Sequence, residues 1–328
     1  MMITKQVVGF DLGNGYMKRT YDGKKVFVDP AVYAPMQEAA FNLAHWDNIA
    51  VINKVPAILG KESLIAKMNV KYAVGEDDFS RYESDEYRDL LLATIVVDLK
   101  KSVCIETLVL GLPVQHQKMK LGEKLKKRLE HKTFENVKVN NKVYTVTIKK
   151  VVVIPQPMGT YFVKDMIDDL SDDYVLIIDG GFGTIDYTAI NQERLLSADG
   201  NDQGLKKLYL VIRDQLYLKY PGIKLTPHDV QQIITSRKMK YQGQMRDVSD
   251  ELFNTAISYQ FSIILDELIS KYNSFVDFDK VIFTGGFVYT FKEQIDKLQR
   301  EYGNIVVMES PQFANVRGYY LFGKRFSK

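Results

Sequence analysis

One short pattern occurs twice in this chain, and the repetition limits the fold more than any other feature. The first copy runs Val7-Val8-Gly9-Phe10-Asp11-Leu12-Gly13-Asn14-Gly15-Tyr16-Met17-Lys18. The second runs Val175-Leu176-Ile177-Ile178-Asp179-Gly180-Gly181-Phe182-Gly183-Thr184-Ile185-Asp186. Each reads as an apolar strand ending in aspartate, a glycine-rich turn, and a second strand. A single such hairpin is explained by a β-turn that needs glycine for positive φ. Two of them, one opening each half of a 328-residue chain, point to two related halves.

The residue types suit phosphate. Glycine lets backbone N–H groups approach a ligand with no Cβ in the way, and successive N–H groups in a tight turn attract anions. Asp11 and Asp179 stand where strand meets turn, and a carboxylate there can hold a hydrated Mg²⁺, which keeps several waters and takes few protein ligands. Lys18 follows the first turn and can reach a β- or γ-phosphate as a point charge. Facing each other, the two hairpins would hold a nucleotide's phosphates and its metal between them. Neither is a Walker loop, and Asp11-Leu12-Gly13-Asn14-Gly15 leads into a strand instead of a helix, so a dinucleotide fingerprint fits badly.

Composition narrows the alternatives. The length favours two domains. Lys and Arg exceed Asp and Glu by three, which gives no argument for direct nucleic-acid binding. The single cysteine, Cys104, excludes an intrachain disulfide and reads as a structural thiol. No apolar run approaches a membrane span and no secretory signal is visible, so a cytoplasmic protein is expected. His45, His116, His131 and His228 show no metal-ligand spacing.

The pattern predicts strands over 3–11, 14–21 and 24–29, and a small inserted subdomain over about 30–80. A helix from Ser84, a doubly buried strand over 103–111, one basic amphipathic helix over 115–130, and a hairpin across Asn140-Asn141 follow. A helix is expected over 157–170. The second half repeats the plan, with a meander over 174–199 and helices over 203–218, 227–236 and 249–272. A strand over 280–284, a helix to about 300, a strand over 304–308 and a terminal helix complete it. Two segments could face the cleft between the halves. Thr284-Gly285-Gly286-Phe287 ends a buried strand and allows close approach to a flat ligand. Pro155-Gln156-Pro157-Met158-Gly159 hands a polar side chain to a helix start, where Gln156 can orient a water for in-line attack on a γ-phosphate.

In order, these segments resemble the actin, sugar-kinase and heat-shock-chaperone superfamily. They are the first phosphate hairpin (Asp11 to Gly15), a connecting segment (Pro155 to Gly159), a second phosphate hairpin (Asp179 to Gly183), an adenosine segment (Thr284 to Phe287) and a connecting helix (Phe313 to Gly323). Ala314-Asn315-Val316-Arg317-Gly318 and the short length look most like the plasmid-segregation ParM (StbA) group and archaeal actin-like proteins. The resemblance implies an α/β, actin-like (ribonuclease H-like) fold of two lobes, each with a central mixed sheet flanked by helices, and a nucleotide cleft between them. Lobe I would comprise 1–156 plus 312–328, and lobe II 157–311. It implies an ATPase, or a GTPase by nucleotide choice, that polymerises with ATP (or GTP) and Mg²⁺ bound. Such filaments segregate plasmid DNA through a DNA-bound, ParR-like adaptor, with no membrane partner. Asp11 and Asp179 would be the Mg²⁺-side carboxylates, acting through water, and Gln156 would position the attacking water. Gly13, Asn14, Gly15, Lys18, Gly180, Gly181, Gly183 and Thr184 would bind phosphate, and Gly285 and Gly286 the nucleoside. Lys206 and Lys207 are the candidates for a purine contact.

Three other readings compete. A small-molecule or sugar kinase shares the cradle but needs a catalytic base, for which Asp186 is the nearby candidate. A chaperone needs a peptide-binding domain for which no residues remain. A cell-shape or division filament with a membrane-targeting helix is a further alternative, but 318–328, aromatic and basic, is too short to read as a strong amphipathic anchor. The lysine-rich stretch 118–128 reads as a solvated helix face; the sharper reading pairs it with Glu76-Asp77-Asp78 of a neighbouring subunit.

Overall fold

The computed structural model describes residues 2–36, 46–65, 70–72, 79–163, 170 and 173–326. The chain opens with the predicted antiparallel meander, β1 (Ile3–Leu12), β2 (Tyr16–Thr20) and β3 (Val26–Pro30). Short strands β4 (Val32–Pro35), β5 (Ile49–Ile52) and β6 (Val55–Leu59), helix α1 (Gly60–Ile65) and strand β7 (Lys71–Tyr72) follow. A 3₁₀ turn at Phe79–Glu83 leads into α2 (Asp85–Leu99). Ser84 caps that helix by accepting from the Tyr87 N–H at 3.1 Å. Next come β8 (Val103–Leu112), α3 (Val114–Lys118), α4 (Leu121–Leu129), β9 (Lys132–Val139), β10 (Lys142–Pro155) and α5 (Gln156–Tyr161).

The second half holds β11 (Tyr174–Gly180), β12 (Ile185–Asn191), β13 (Arg194–Asn201), α6 (Leu205–Lys219) and α7 (Pro227–Ser236). Thr226 and Asp229 close a capping box at the start of α7, with Pro227 at the first position as expected. Then follow β14 (Lys238–Tyr241), β15 (Gln244–Asp247), α8 (Asp250–Lys271), β16 (Lys280–Thr284), α9 (Phe287–Thr290), α10 (Lys292–Glu301), β17 (Ile305–Val307) and α11 (Pro311–Phe326).

The repeat seen in the sequence is a repeat of topology. One sheet contains the run β3-β2-β1-β8-β10, and the other is β13-β12-β11-β16-β17. In both, a meander supplies the first three strands and two parallel strands follow. The first sheet continues through β9-β5-β6-β4-β7. The described strands β4 to β7 of the segment over 30–80 therefore extend this sheet's edge, joined where Ala50 pairs with Val139.

The two halves also exchange helices. Helix α5 leaves β10 of the first sheet and packs on the second, where Tyr161 joins Val175, Ile177 and Ile282. Helix α11 leaves β17 of the second sheet and packs on the first, where Val316 and Tyr319 meet Val7 and Val109. Each sheet is thus covered on both faces, since α2 and α4 fill the other side of the first and α6 and α8 that of the second. This explains why β8 and β11 read as continuous apolar runs. The helices cross backbone on backbone: a Cβ on Gly318 would lie 1.7 Å from the Gly159 carbonyl oxygen.

Some expectations change. The single basic helix over 115–130 is two helices, because Lys120 adopts left-handed geometry at φ 58°. The hairpin β14–β15 was not anticipated, and the helix after β16 breaks at Phe291. The helix expected over 157–170 is seen as Gln156–Tyr161, with 164–169 outside the described residues. Cys104 is half-buried. Among the described residues, no helix is long and apolar enough to cross a membrane.

Candidate nucleotide cleft

The two glycine hairpins have matched registers. Asp11 pairs with Lys18 across β1–β2, and Asp179 pairs with Asp186 across β11–β12. Each turn is closed by the same kind of bond, Gly13 N–H to Tyr16 O at 3.1 Å and Gly181 N–H to Thr184 O at 2.8 Å. Their tips touch: a Cβ on Gly183 would sit 1.9 Å from Asn14 Nδ2, and one on Gly15 would sit 2.5 Å from the Phe182 ring. Glycine is required at both places by the neighbouring hairpin.

Between them lies a cleft of about 410 Å³. Asp11, Gly13, Asn14, Gly15, Lys18 and Gln156 line it from the first half of the chain. Asp179, Gly181, Gly183, Thr184, Gly285 and Gly286 line it from the second. Gly180 does not reach the wall. It is buried behind it, and a Cβ there would strike the Phe287 ring at 1.9 Å, so its glycine serves packing. Gly285 has φ +90°, and a Cβ on it would meet Asp179 Oδ1 at 2.4 Å; this close approach sets the end of β16 against the second carboxylate.

Asp11 is held from two sides, accepting from Lys18 Nζ at 2.8 Å and from Gln156 Nε2 at 3.2 Å. Asp179 accepts from Asn315 Nδ2 at 2.7 Å. Asn315 is itself fixed, its Oδ1 accepting from the Thr160 N–H at 3.1 Å and the Thr160 hydroxyl at 2.7 Å. Burial pushes the Asp179 carboxyl up to about 6, and the Asp11 charge adds to the effect against the opposing pull of Lys18 and Asn315. Burial also disfavours the Lys18 charge, but Asp11 and then Asp179 outweigh it and raise its pKa.

Asp179, which burial and then the Asp11 charge bias toward holding a proton, sits in a site whose negative charge a divalent cation would relieve. Oxygen donors of this kind, completed by phosphate and water, are what Mg²⁺ takes. The donor set therefore fits Mg²⁺.

Asp186 stands behind the wall. Its Oδ1 accepts from the Val114 N–H and its Oδ2 from the Thr184 hydroxyl, both at 2.8 Å. Burial is the main cause that pushes its pKa up to about 7, against those two bonds. Asp186 thus ties β12 to the start of α3 on the other half, and Thr184 supports the hairpin while lining the cleft. Lys206 and Lys207 are not in the wall; Lys207 pairs with Asp202 at 2.9 Å, and Leu205 and Tyr209 line the cleft from α6 instead.

Several cleft residues were not read from the sequence. Tyr16 donates to Gln231 of α7 at 2.5 Å, and His228 donates from Nε2 to the Gly15 carbonyl at 3.1 Å. Burial lowers the His228 pKa against that bond, and its Nδ1 lies 3.1 Å from the Tyr72 hydroxyl. Arg81 enters the wall from the 3₁₀ turn before α2 and donates to Asn14 Oδ1 at 3.1 Å. Asn254, Tyr289 and Glu293 line the far part of the cleft.

The basic stretch is largely engaged within the chain. Lys118 meets Asp199 at 3.2 Å, Lys124 meets Glu83 at 3.0 Å, Lys126 meets Glu130 at 3.5 Å, and Arg128 meets Asp85 at 2.6 Å. Glu76-Asp77-Asp78 lies outside the described residues.

Comparison with known proteins places this geometry. Residues 9–159 match a family model described as the N terminal domain of actin like proteins. No curated protein matches the chain. Among solved structures, the archaeal actin homolog Ta0583 in complex with ADP is similar at 18% identity and TM-score 0.78, covering 98% of this chain and 99% of that one. A 15-stranded ParM filament from Clostridium botulinum is similar at 21% identity and TM-score 0.72, covering 98% and 100%. Apo psk41 ParM is similar at 18% identity and TM-score 0.70, covering 100% and 98%.

Proposed function

This chain has the actin-like fold, and from that premise we propose that it is a Mg²⁺-dependent nucleoside triphosphatase whose bound nucleotide governs assembly into filaments. The observation that carries the reading is the pair of aspartate-tipped hairpins in contact across one cleft, with Gln156 bonded to the first aspartate. We divide the chain into lobe I, 1–156 plus 312–328, and lobe II, 157–311; the exchange of α5 and α11 between the sheets supports these bounds.

The residues then take distinct roles. Backbone N–H groups of 14–15 and 182–183 cradle the phosphates, while those of Gly13 and Gly181 close the turns. Asp11 and Asp179 would hold Mg²⁺, which when bound would supply positive charge beside the phosphates. The Gln156 amide donates to Asp11, which leaves its carbonyl oxygen to accept from a water and aim it in line. Gly285, Gly286 and the wall around Tyr289 receive the nucleoside.

The ADP-bound archaeal homolog and the ParM filament support nucleotide binding and self-association for this chain. Within that class we favour filaments that segregate plasmid DNA through a DNA-bound adaptor. A kinase would need a free carboxylate base, and the carboxylate of Asp186 is engaged by Val114 and Thr184 behind the wall.

The test is light scattering and pelleting of the full chain with Mg-ATP and Mg-GTP side by side. Assembly above a threshold concentration, with turnover and no added acceptor, is expected. Gln156→Ala should bind nucleotide normally, hydrolyse it on the order of 10²-fold more slowly, and form longer-lived filaments. No assembly with either nucleotide, or turnover only with an added hydroxyl acceptor, would overturn the filament reading.

A further inference from the structure

We propose that Arg81 is a ligand of the nucleotide's terminal phosphate and the residue by which the cleft distinguishes triphosphate from diphosphate. The proposal rests on the nucleotide reading of the cleft. Arg81 is 6% exposed, yet its side chain is part of the cleft wall. It enters beside the tip of the first hairpin, and not from the α7–α10 wall assigned to the nucleoside. On that reading the phosphate farthest from that wall would be seated at the touching tips, Asn14 and Gly183. Arg81 already hydrogen-bonds one of those tips, so a phosphate seated there is within its reach.

The guanidinium is held ready. Nη1 donates to Asn14 Oδ1 at 3.1 Å, while Nη2 donates to the Tyr82 hydroxyl at 2.7 Å and to His116 Nδ1 at 3.0 Å. The Arg81 group also lies over the Tyr82 ring, 4.7 Å from its centroid. An arginine N–H only donates, so His116 Nδ1 must be an acceptor and the ring neutral. Burial and the adjacent Arg81 charge agree with this, holding the His116 pKa down to about 4. The Tyr82 hydroxyl lies 2.7 Å from the same Nδ1 and shares its one lone pair with Arg81.

Two neutral rings therefore fix one edge of the guanidinium, and the other edge faces the hairpin tip. Among its partners is the uncharged carboxamide of Asn14. Exchanging that acceptor for a phosphate oxygen turns a neutral-acceptor bond into one between two charges, which is roughly twice as strong. Diphosphate, lacking the outermost group, leaves Arg81 on Asn14. Triphosphate takes it over.

The experiment measures affinities of the full chain, with Mg²⁺ present, for adenosine and guanosine diphosphates and for their slowly hydrolysed imido-triphosphate analogues. In Arg81→Ala the triphosphate affinity should fall about tenfold or more, and the diphosphate affinity by less than twofold. Arg81→Gln is shorter and uncharged but keeps the aliphatic stem and a donor; it should lose the same discrimination, and it serves if the alanine variant does not fold. Arg81→Lys should restore part of it. Equal weakening for both nucleotides, or none for either, in a folded variant would overturn the assignment. A wild-type chain that binds no nucleotide at all would sink the cleft reading itself, and Arg81's role with it.

Discussion

Gly318→Ala isolates the helix crossing on which both lobes depend. The substituted methyl would begin 1.7 Å from the Gly159 carbonyl oxygen and 2.4 Å from its carbon. Both atoms are backbone, so no side chain can turn aside. Restoring ordinary contact requires α5 and α11 to separate by about 1.5 Å or more. Alanine is intrinsically better than glycine within a helix by about 1 kcal/mol. Against this, overpacking costs about 1–3 kcal/mol, and separation also loosens Val316 and Tyr319 from Val7 and Val109. The clash dominates, and a net loss on the order of 2 kcal/mol follows. Urea titration should show a lower midpoint with an unchanged slope. Gly303→Ala is the control, because nothing lies within 4 Å of a Cβ at that position; it should be neutral or slightly stabilising. Equal midpoints for the two variants would refute the argument. Affinity for Mg-nucleotide should also fall in Gly318→Ala, since α11 carries Asn315 and α5 carries Gln156.

Other outcomes follow from the buried carboxylates. Asp186 has a folded pKa of about 7 against an ordinary 3.8, so the folded state binds the proton first. Its contribution is present below pH 4 and is lost as pH rises to about 7. Asp186→Asn keeps an acceptor for Val114, so its stability relative to wild type should rise across that window and then level, by at most about 4 kcal/mol. A flat difference in stability between pH 4 and 8 would count against this. Asn315→Ala removes a bond that lowers the Asp179 pKa from its side. Mg-nucleotide affinity should then strengthen with pH at a higher midpoint than the wild-type value near 6, as read by titration calorimetry across pH. Asp179→Ala should weaken Mg-nucleotide binding about tenfold or more in the same assay; unchanged affinity would remove that carboxylate from the site.

The repeated halves were legible because their signals are local. Strand, aspartate and glycine stand next to one another, and Thr226-Pro227 announces α7 without tertiary help. The break between α3 and α4 was not legible, since Lys120 takes left-handed geometry with no glycine to mark it. Gln242-Gly243 did carry a turn signal for β14–β15, with positive φ at both residues, but its flanks are polar and the hydrophobic alternation is weak. At the site, the carboxylates and turn glycines could be named from spacing. Arg81, His228 and Gln231 could not: they meet residues 67, 213 and 215 positions away, and only the packed fold brings them together. The role of Gly180 was not legible for a related reason, because whether a glycine faces a ligand or an aromatic ring depends on what packs behind the strand.

The matched hairpins share geometry but not charge. At the position where the first carries Lys18, the second carries Asp186. Lys18 and Arg81 both belong to the first half of the chain, so the pull on an anion at this end is one-sided. On the proposed reading, a bound polyphosphate would sit off the axis that relates the two sheets, nearer the first sheet, and its loss would leave that side with the larger electrostatic rearrangement. A duplicated scaffold thereby acquires a front and a back without any change in its strand order.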